Sequence, residues 1–357
     1  MIGSFFYLVR LEKILEIVVM TININSFLRN LICFIFIPVL FMLVCFICFD
    51  PFYFFRTPSI EDLPKVSQNR GHFNVKLLEN NSKKTSYNAF LLASSRGIFF
   101  RIKDWKELVG DPELMGFHFE ENRESIYGMY KKILYLDENG HHLKYMLLAL
   151  DRQVFRVTFI KTGRLDRVSP LFTKSYKQWF WFIFENLVTF INPKFFIPYI
   201  VHELTGMKLP FMKGVLLPDG FTLNLEANET SFESLESKIK SGNFYTEKTK
   251  RLIVSKRSKS IDKNFISIKK KQKFFLKEIN KIFNKHGTKF KILINPLTDQ
   301  IPLDRTSLDF LKLTFGANNV FDFSGKNAIT NDYKNYYEET HYRPHVAKKM
   351  LETIYSN

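Results

Sequence analysis

The sequence predicts an α/β domain with a parallel sheet, preceded by one N-terminal transmembrane helix. Two observations carry that prediction. One long apolar segment lies near the N-terminus, and short apolar runs then recur at the spacing of alternating strands and helices. The chain has 357 residues, of which 46% are apolar and 24% charged, so it can bury a large core and is not a disordered protein.

The transmembrane helix is predicted for Leu31–Phe49, nineteen consecutive apolar positions. As a helix they would extend about 28 Å, close to the ~30 Å thickness of a bilayer core. Pro38 lies inside this run, and membrane helices tolerate proline. A cleaved signal peptide is the alternative, but small residues would precede its cleavage site, whereas this run ends in Cys48 and Phe49. We therefore assign residues 31–55 to an anchor and 1–30 to an N-terminal segment.

Charge does not orient this anchor, because each flank carries three nearby basic residues: Arg10, Lys13 and Arg29 before it, and Arg56, Lys65 and Arg70 after it. All three cysteines lie inside the apolar run, so residues 56–357 have no disulfide, cysteine nucleophile or zinc–cysteine site and tolerate an oxidising compartment. We expect a single-pass membrane protein with its globular domain outside the cytoplasm. Met20 is an alternative start.

The net charge of +17 is concentrated in one stretch. Residues Lys238–Lys291 hold eighteen basic and three acidic residues, which leaves the rest of the chain close to neutral. Much of this stretch, about 266–284, has the pattern of a helix with an apolar inner face and lysines outside. Those lysines form a solvated face or contact anionic lipid or an acidic glycan. We do not expect a nucleic-acid partner, because the stretch has no aromatic platforms interleaved at strand positions.

Five apolar runs predict the strands, and we assign residues 56–86 to a linker and lead-in and 87–357 to the α/β domain. The predicted strands are 87–94, 115–119, 143–151, 290–296 and 319–323, and residues 345–355 form a closing helix. An insertion at about 152–260 contains the aromatic segments Trp179–Phe184 and Phe195–Val201. Polar residues interrupt them too often for a second membrane span. They form a helix pair or lid on the core, or else dock at the bilayer interface.

Common cofactor and metal motifs are missing from the sequence. It contains no G-x-x-x-x-G-K-[ST], no G-x-G-x-x-G after a strand, no H-E-x-x-H and no EF-hand loop. His341 and His345 have the i, i+4 spacing of a zinc pair, but Pro344 separates them and no third ligand is evident. We therefore expect no metal and no cofactor.

Two segments have the residues of a nucleophilic site. Ser95 follows the first predicted strand, and ligands of parallel α/β sheets bind outside the carboxyl ends of the strands. Glu338 precedes His341 by three residues, just before the closing helix. In such a turn the acid can orient the imidazole, which can deprotonate a hydroxyl. The alternative is a turn serine and a helix-capping histidine without catalytic roles.

This arrangement resembles the SGNH (GDSL-like) hydrolase superfamily. The resemblance covers residues 87–355 and rests on Ser94-Ser95-Arg96, the strand ending at Asp151, Asn295-Pro296-Leu297 and the segment from Phe321 to Pro344. The sequence is similar to the membrane-anchored branch of this superfamily that is found in bacterial cell envelopes. That branch includes the lipoteichoic-acid D-alanylation protein DltD and the alginate O-acetylation proteins. The resemblance implies a three-layer α/β/α, flavodoxin-like domain.

The resemblance also implies roles for individual residues. Ser95 would be the nucleophile, His341 the general base and Glu338 its orienter, with Glu339 as an alternative orienter. The backbone N–H of Ser95 and the side chain of Asn122 are the oxyanion-hole candidates. Arg96 and Arg343 are candidates for binding an anionic substrate, although arginines beside loops are often simply solvated. Two departures are Ala93 where the family has glycine, and Glu338 where it has aspartate.

The implied function is a membrane-anchored serine esterase or O-acyltransferase that acts on a cell-envelope glycan or a related acyl ester through an acyl-serine. The alternative is a catalytically inactive scaffold or polysaccharide-binding partner of a multi-span membrane acyltransferase. Variants at Ser95 and Asn122 distinguish these two functions.

Overall fold

The computed structural model describes residues 2–59, 63–155, 162–218, 220–255, 257 and 267–356. The helices among them are α1 Ile2–Phe49, α2 Arg70–Asn81, α3 Ile102–Val109, α4 Ile126–Glu138, α5 Pro170–Thr173, α6 Tyr176–Ile191, α7 Pro193–Thr205, α8 Glu233–Lys240, α9 Glu247–Val254, α10 Lys270–His286, α11 Arg305–Phe315, α12 Ala328–Asn331 and α13 Pro344–Tyr355. The strands are β1 Ala89–Ala93, β2 Gly116–His118, β3 Tyr145–Leu150, β4 Phe221–Asn224, β5 Glu229–Phe232, β6 Lys289–Ile294 and β7 Val320–Asp322.

The central sheet has the strand order β2-β1-β3-β6-β7, and every neighbouring pair in it is parallel. The α/β class and all five predicted strands are confirmed, with ends that shift by one or two residues. Numbered within the sheet, the order is 2-1-3-4-5, as in flavodoxin-like doubly wound folds. The order reverses between β1 and β3, so the crevice outside their carboxyl ends is where such folds bind ligands.

Side chains along each strand point alternately to the two faces of the sheet, and helices cover both faces. In β1, Phe90 and Leu92 join a core with α2, α4, α10 and α11, while Leu91 and Ala93 join a second core with α3 and α13. Successive strand side chains point to opposite faces, and β1 is apolar throughout because both faces are buried. Helix α10 buries Leu276, Ile279 and its apolar neighbours and exposes lysines, as its sequence pattern predicts.

The N-terminal apolar helix is longer than the predicted anchor. Helix α1 runs without interruption through residues assigned to a separate N-terminal segment, and its stretch Ile24–Phe49 is long and apolar enough to cross a membrane, with a mean hydropathy of 3.2. Only 11% of that apolar window is buried. The buried carboxylate of Asp50 ends the helix by accepting hydrogen bonds from the backbone N–H groups of Phe54, Phe55 and Arg56 at 2.6–2.7 Å.

Within the predicted linker and lead-in at 56–86, residues 70–81 form α2. Asn69 caps this helix by accepting a hydrogen bond from the N–H of His72 at 2.9 Å. Phe73, Val75 and Leu78 are buried against the sheet side of the helix. Because of this burial, α2 belongs to the domain. The segment also contains many polar residues, so its composition alone does not indicate a core helix.

The predicted insertion contains α5 to α9 and a separate antiparallel pair, β4 and β5. The turn between those two strands reaches the outer strand of the sheet, where the N–H of His118 donates to the carbonyl of Ala227 at 2.9 Å. The β4–β5 hairpin thereby covers the edge of the central sheet and brings Thr230 and Phe232 beside the end of β1.

Candidate active site

The candidate site lies at the reversal point of the sheet. Strand β1 ends at Ala93, and Ser95 begins a 3-10 turn, Ser95–Phe99, that starts at the crevice. The preceding Ser94 caps this turn, and the N–H of Gly97 donates to the carbonyl of Ser94 at 2.9 Å. The structure therefore holds the Ser95 hydroxyl at the carboxyl end of the sheet, as the sequence predicts.

A tight loop brings Glu338 and His341 to the same place. Tyr336 and Tyr342 are fully buried and pair across the base of the loop as an antiparallel bridge. The Tyr342 hydroxyl donates to Oδ1 of Asn295, just beyond β6, at 2.9 Å. Since both tyrosines are fixed to the end of β6, the residues between them project over the crevice. Helix α13 begins two residues later at Pro344.

Ser95, His341 and Glu338 form a hydrogen-bonded chain. Nε2 of His341 lies 3.0 Å from Oγ of Ser95, and Nδ1 of His341 contacts Oε1 of Glu338. An ionised carboxylate can only accept, so Nδ1 carries a proton toward Glu338 and Nε2 of the neutral ring is free to accept from the Ser95 hydroxyl. This is the order of contacts that activates a serine for nucleophilic attack.

Glu338 is held in its charged form. Partial burial by itself would raise its pKa, but hydrogen bonds from His341 and Thr340 outweigh burial and lower that pKa to about 2. The Thr340 hydroxyl donates to Oε1 of Glu338 at 2.7 Å. The alternative orienter, Glu339, instead accepts a hydrogen bond from Ser255 at 3.0 Å. Between the two candidates, the structure thus brings Glu338 to the imidazole.

Arg96 lies in a different environment from the exposed loop position that the sequence suggests. It is 7% exposed, and its guanidinium pairs with the buried carboxylate of Asp151 at 2.9 Å. Asp151 also accepts a hydrogen bond from the Ser94 hydroxyl at 2.9 Å. Buried and paired in this way, Arg96 has little free charge for an anionic substrate, and its role in binding stays a prediction. Its charge ties the serine turn to the end of β3.

Gly97 is required by a close approach inside the serine turn. A Cβ at this position would lie 2.2 Å from Cβ of Ala93, a distance that real Cβ atoms do not reach, while the next neighbour is Ala149 at 3.6 Å. The backbone at Gly97 does not have a positive φ, so steric space alone excludes a side chain. Ala93 and Gly97 therefore fit as a pair.

A cavity of about 150 Å³ opens beside Ser95, and Asn122 lines it. Asn122 reaches this position because the chain after β2 stays parallel to β1, with Glu121 bridged to Ser94. Apolar walls come from Val66, Ile98, Leu217, Phe221 and Phe232. The arrangement brings the oxyanion candidates Ser95 and Asn122 to one cavity, and their role as donors stays a prediction.

A larger and more polar cleft of about 520 Å³ lies next to it, and Phe232 lines both. Arg343 lies near this cleft but is held by Glu236, whose carboxylate accepts from Nε and Nη2 at 3.0 and 2.7 Å. The hydrogen bond with Arg343, and to a smaller extent the one with Tyr337, lowers the pKa of Glu236. Glu236 and Arg343 are therefore both charged and neutralise each other. Arg343 therefore has little free charge for a substrate anion.

Two contributors were missed from the sequence. Asp151 directly follows β3, and its position after a strand end beside the reversal point was the signal that could have identified it as the partner of Ser94 and Arg96. Thr340 gave no signal, because only the folded loop turns its hydroxyl toward Glu338.

Among the residues that the structure describes, no cluster of histidine, cysteine, aspartate and glutamate has the grouping of a metal site. His345 instead contacts Oδ1 of Asn335 at 2.8 Å through Nε2. Comparison of the chain with models of known protein families and with curated proteins gives no match.

Proposed function

We propose that this protein is a membrane-anchored serine esterase or O-acyltransferase of the SGNH type, acting on an acyl ester of a cell-envelope glycan or a related compound. One observation carries the proposal: His341 lies 3.0 Å from the Ser95 hydroxyl while its other nitrogen contacts Glu338. The resemblance in the sequence adds support, since it implies Ser95 as the nucleophile and His341 as the general base.

The first half of the proposed reaction forms an acyl-enzyme. Oγ of Ser95 attacks the ester carbonyl carbon as its proton moves to Nε2 of His341, and the carboxylate of Glu338 stabilises the imidazolium. The tetrahedral intermediate then collapses, the ester C–O bond breaks, and the proton on Nε2 passes to the leaving alkoxide. The products are an alcohol and acyl-Ser95, with a neutral imidazole.

The second half releases the acyl group. Water or an acceptor hydroxyl loses a proton to Nε2 of His341 and attacks the acyl carbonyl, and the proton then returns to Oγ of Ser95 as the ester bond breaks. Water gives hydrolysis and a sugar hydroxyl gives transfer. In the proposal the acyl group occupies the cavity beside Ser95, and the acceptor occupies the larger cleft beyond Phe232.

The negative oxygen of the tetrahedral intermediate needs donors that are already in position. We assign the backbone N–H of Ser95 and the side chain of Asn122 to this task. Removal of one such donor typically costs about 10²–10³ in rate. Asn122→Ala should therefore slow acylation by roughly 10²-fold without changing the affinity for a neutral substrate much.

The proposal is tested by ester hydrolysis with the full-length protein in detergent micelles. Aryl acetates should be hydrolysed by the wild type and not by Ser95→Ala or His341→Ala, and retained cooperative unfolding would show that both variants are folded. Hydrolysis that survives Ser95→Ala, or a folded wild type without any turnover, would contradict the proposal. The second result favours the non-catalytic scaffold.

A further inference from the structure

One face of α6 is apolar, aromatic and uncovered. We call the aromatic face the set Tyr176, Phe180, Trp181, Phe184 and Val188, whose members are 94%, 62%, 40%, 45% and 46% exposed, respectively. Four of them follow each other at i, i+4 spacing, so they form one stripe along the helix. Contiguous apolar surface of this kind marks an interaction site, because scattered single residues would not align.

The opposite side of α6 is fixed to the domain. Phe182, Asn186 and Phe190 are buried there, and the ring of Phe182 lies 5.3 Å from that of Phe54. Glu185 of α6 pairs with the buried guanidinium of Arg167, which precedes α5, so this carboxylate is neutralised. The helix therefore cannot rotate to hide its aromatic face, and that face remains available on the folded protein.

The position of α6 and α7 beside the anchor indicates what covers the aromatic face. Phe46 and Cys45 of α1 are buried by the helix pair. The rings of Phe46 and Phe190 lie 5.4 Å apart, and those of Phe49 and Tyr199 lie 6.3 Å apart. The pair thus packs on the last two turns of α1, where the helix leaves the hydrocarbon core.

The length of the apolar part of α1 agrees with a position of the helix pair at the edge of the hydrocarbon core. Ile24–Phe49 has 26 residues, or about 39 Å of helix, which exceeds a hydrocarbon core of about 30 Å. The polar residues of this window lie within 25–30, at its beginning, so its apolar part ends at Phe49 and the last turn of α1 lies at the boundary with the headgroups, where tryptophan and tyrosine are enriched. On α1 itself, Val44 and Ile47 are exposed at this level, so the apolar surface continues from the anchor to the pair.

Charged groups around the pair also suit an interface. Lys177 and Lys194, near the beginnings of α6 and α7, are exposed and can reach lipid phosphates. Glu203 of α7 is paired with Lys65 at 2.7 Å, so it presents no unneutralised carboxylate to a phosphate layer.

We propose that α6 and α7 form a second membrane-binding element that lies in the interfacial layer of the bilayer spanned by α1, with the aromatic face inserted among lipids. The element holds the domain at a fixed height and tilt on the membrane. A protein partner on the same face is the competing occupant.

Tryptophan quenching by brominated lipids tests this with the full-length protein in nanodiscs. The chain has three tryptophans, of which Trp105 is buried in the core and Trp179 faces His72 and Phe182. Phosphatidylcholine brominated near the carbonyl end of its acyl chains should quench the emission, because interfacial helices lie ~5–10 Å deep. Trp181→Phe should lose most of this quenching.

The matched control moves the exposed indole to another site. In the double variant Trp181→Phe, Leu313→Trp, the new tryptophan replaces a leucine that is 87% exposed on α11, and it should not be quenched. Unquenched wild-type emission in nanodiscs that hold only this chain would overturn the proposal and favour a protein partner. Stronger quenching by bromines deep in the acyl chains than by shallow ones would overturn the interfacial depth.

Discussion

At the scale of single residues, the proposed chemistry depends on which carboxylate touches His341. Glu338→Gln keeps the shape of the side chain but removes the charge that fixes the proton on Nδ1. Loss of the equivalent charge in serine triads costs about 10⁴ in rate, so we expect kcat to fall by roughly 10³–10⁴-fold. Steady-state hydrolysis of an aryl acetate measures this effect.

The neighbouring acid provides the control. Glu339→Gln also removes one negative charge, from the next residue along the chain. Glu339 accepts a hydrogen bond from Ser255, whereas the imidazole contacts Glu338. We expect less than about a twofold change in kcat. A large loss in Glu339→Gln together with a normal rate in Glu338→Gln would reverse the assignment of the orienter.

Phe232 is expected to limit the acyl chain that the site accepts. The cavity of about 150 Å³ beside Ser95 has room for about five non-hydrogen atoms, at ~30 Å³ each. Since Phe232 separates it from the larger cleft, Phe232→Ala should join the two spaces. Aryl esters from acetate to octanoate should show a wild-type preference for short chains that moves to longer chains in the variant.

A half-buried phenylalanine elsewhere controls for general loosening of the fold. Phe310→Ala on α11 also removes a ring from the core, but it lies outside both cavities. Its chain-length profile should match the wild type. The same profile in Phe232→Ala as in the wild type would show that this ring does not bound the acyl site.

At the scale of elements, the serine turn is held by the contact between Gly97 and β1. Gly97→Ala would force its methyl group to within 2.2 Å of Ala93, so the turn and Ser95 must shift. Misplacement by about 1 Å can cost roughly 10² in rate. Ala93→Gly removes the obstructing methyl group and should restore much of the activity in the double variant.

This rescue separates a steric cause from a conformational one. If Gly97 were needed for its backbone freedom, Ala93→Gly would not restore the activity of Gly97→Ala. Activity and melting temperature of the two single variants and the double variant measure the coupling directly.

Helix α2 contains a buried histidine that makes stability depend on pH. Burial, and then the charge of Lys76, lower the pKa of His72 from 6.5 to about 3. The unfolded chain therefore takes up the proton first, and the contribution to stability is complete above pH 6.5 and declines as the pH falls toward 3. At pH 5 the loss is about 2 kcal/mol.

His72→Phe should remove this part of the pH dependence. Urea unfolding in detergent at pH 7.5 and pH 5 gives the difference in the free energy of unfolding, which should shrink by about 2 kcal/mol in the variant. His142→Phe, at an exposed turn position, controls for the removal of one histidine. An unchanged difference in His72→Phe would show that His72 is not kept neutral by the fold.

At the scale of the whole molecule, local patterns predicted the sheet and the positions of Ser95, Glu338 and His341 but not the walls of the cavity beside them. Each strand is a continuous apolar run, and Ser95 and His341 are placed by rules that concern strand ends and nearby turns. The burial of Arg96 and the cavity beside Ser95 depend on contacts with Asp151, Val66 and Leu217, which are distant in sequence. No local pattern reports such contacts.

The lead-in segment illustrates the same limit. Leu217 donates its N–H to the carbonyl of Lys65 at 2.8 Å, so the segment between α7 and β4 is paired with the segment between α1 and α2 where both line the cavity at Ser95. Residues 56–86, which composition assigned to a linker and lead-in, contain a core helix and one wall of the cavity beside Ser95. In this arrangement, the helix that is long and apolar enough to cross a membrane and the proposed catalytic site share one continuous piece of structure.

Labelling with a fluorophosphonate tests the central claim most directly, because two adjacent serines provide the comparison. Ser95 faces His341, whereas Ser94 is buried and donates to Asp151. Peptide mapping of the labelled full-length protein should find the phosphonyl group on Ser95. The label should disappear in Ser95→Ala and in His341→Ala, and persist in Ser94→Ala. A folded wild type that stays unlabelled, or a label that survives Ser95→Ala, would contradict the assignment of Ser95 as an activated nucleophile.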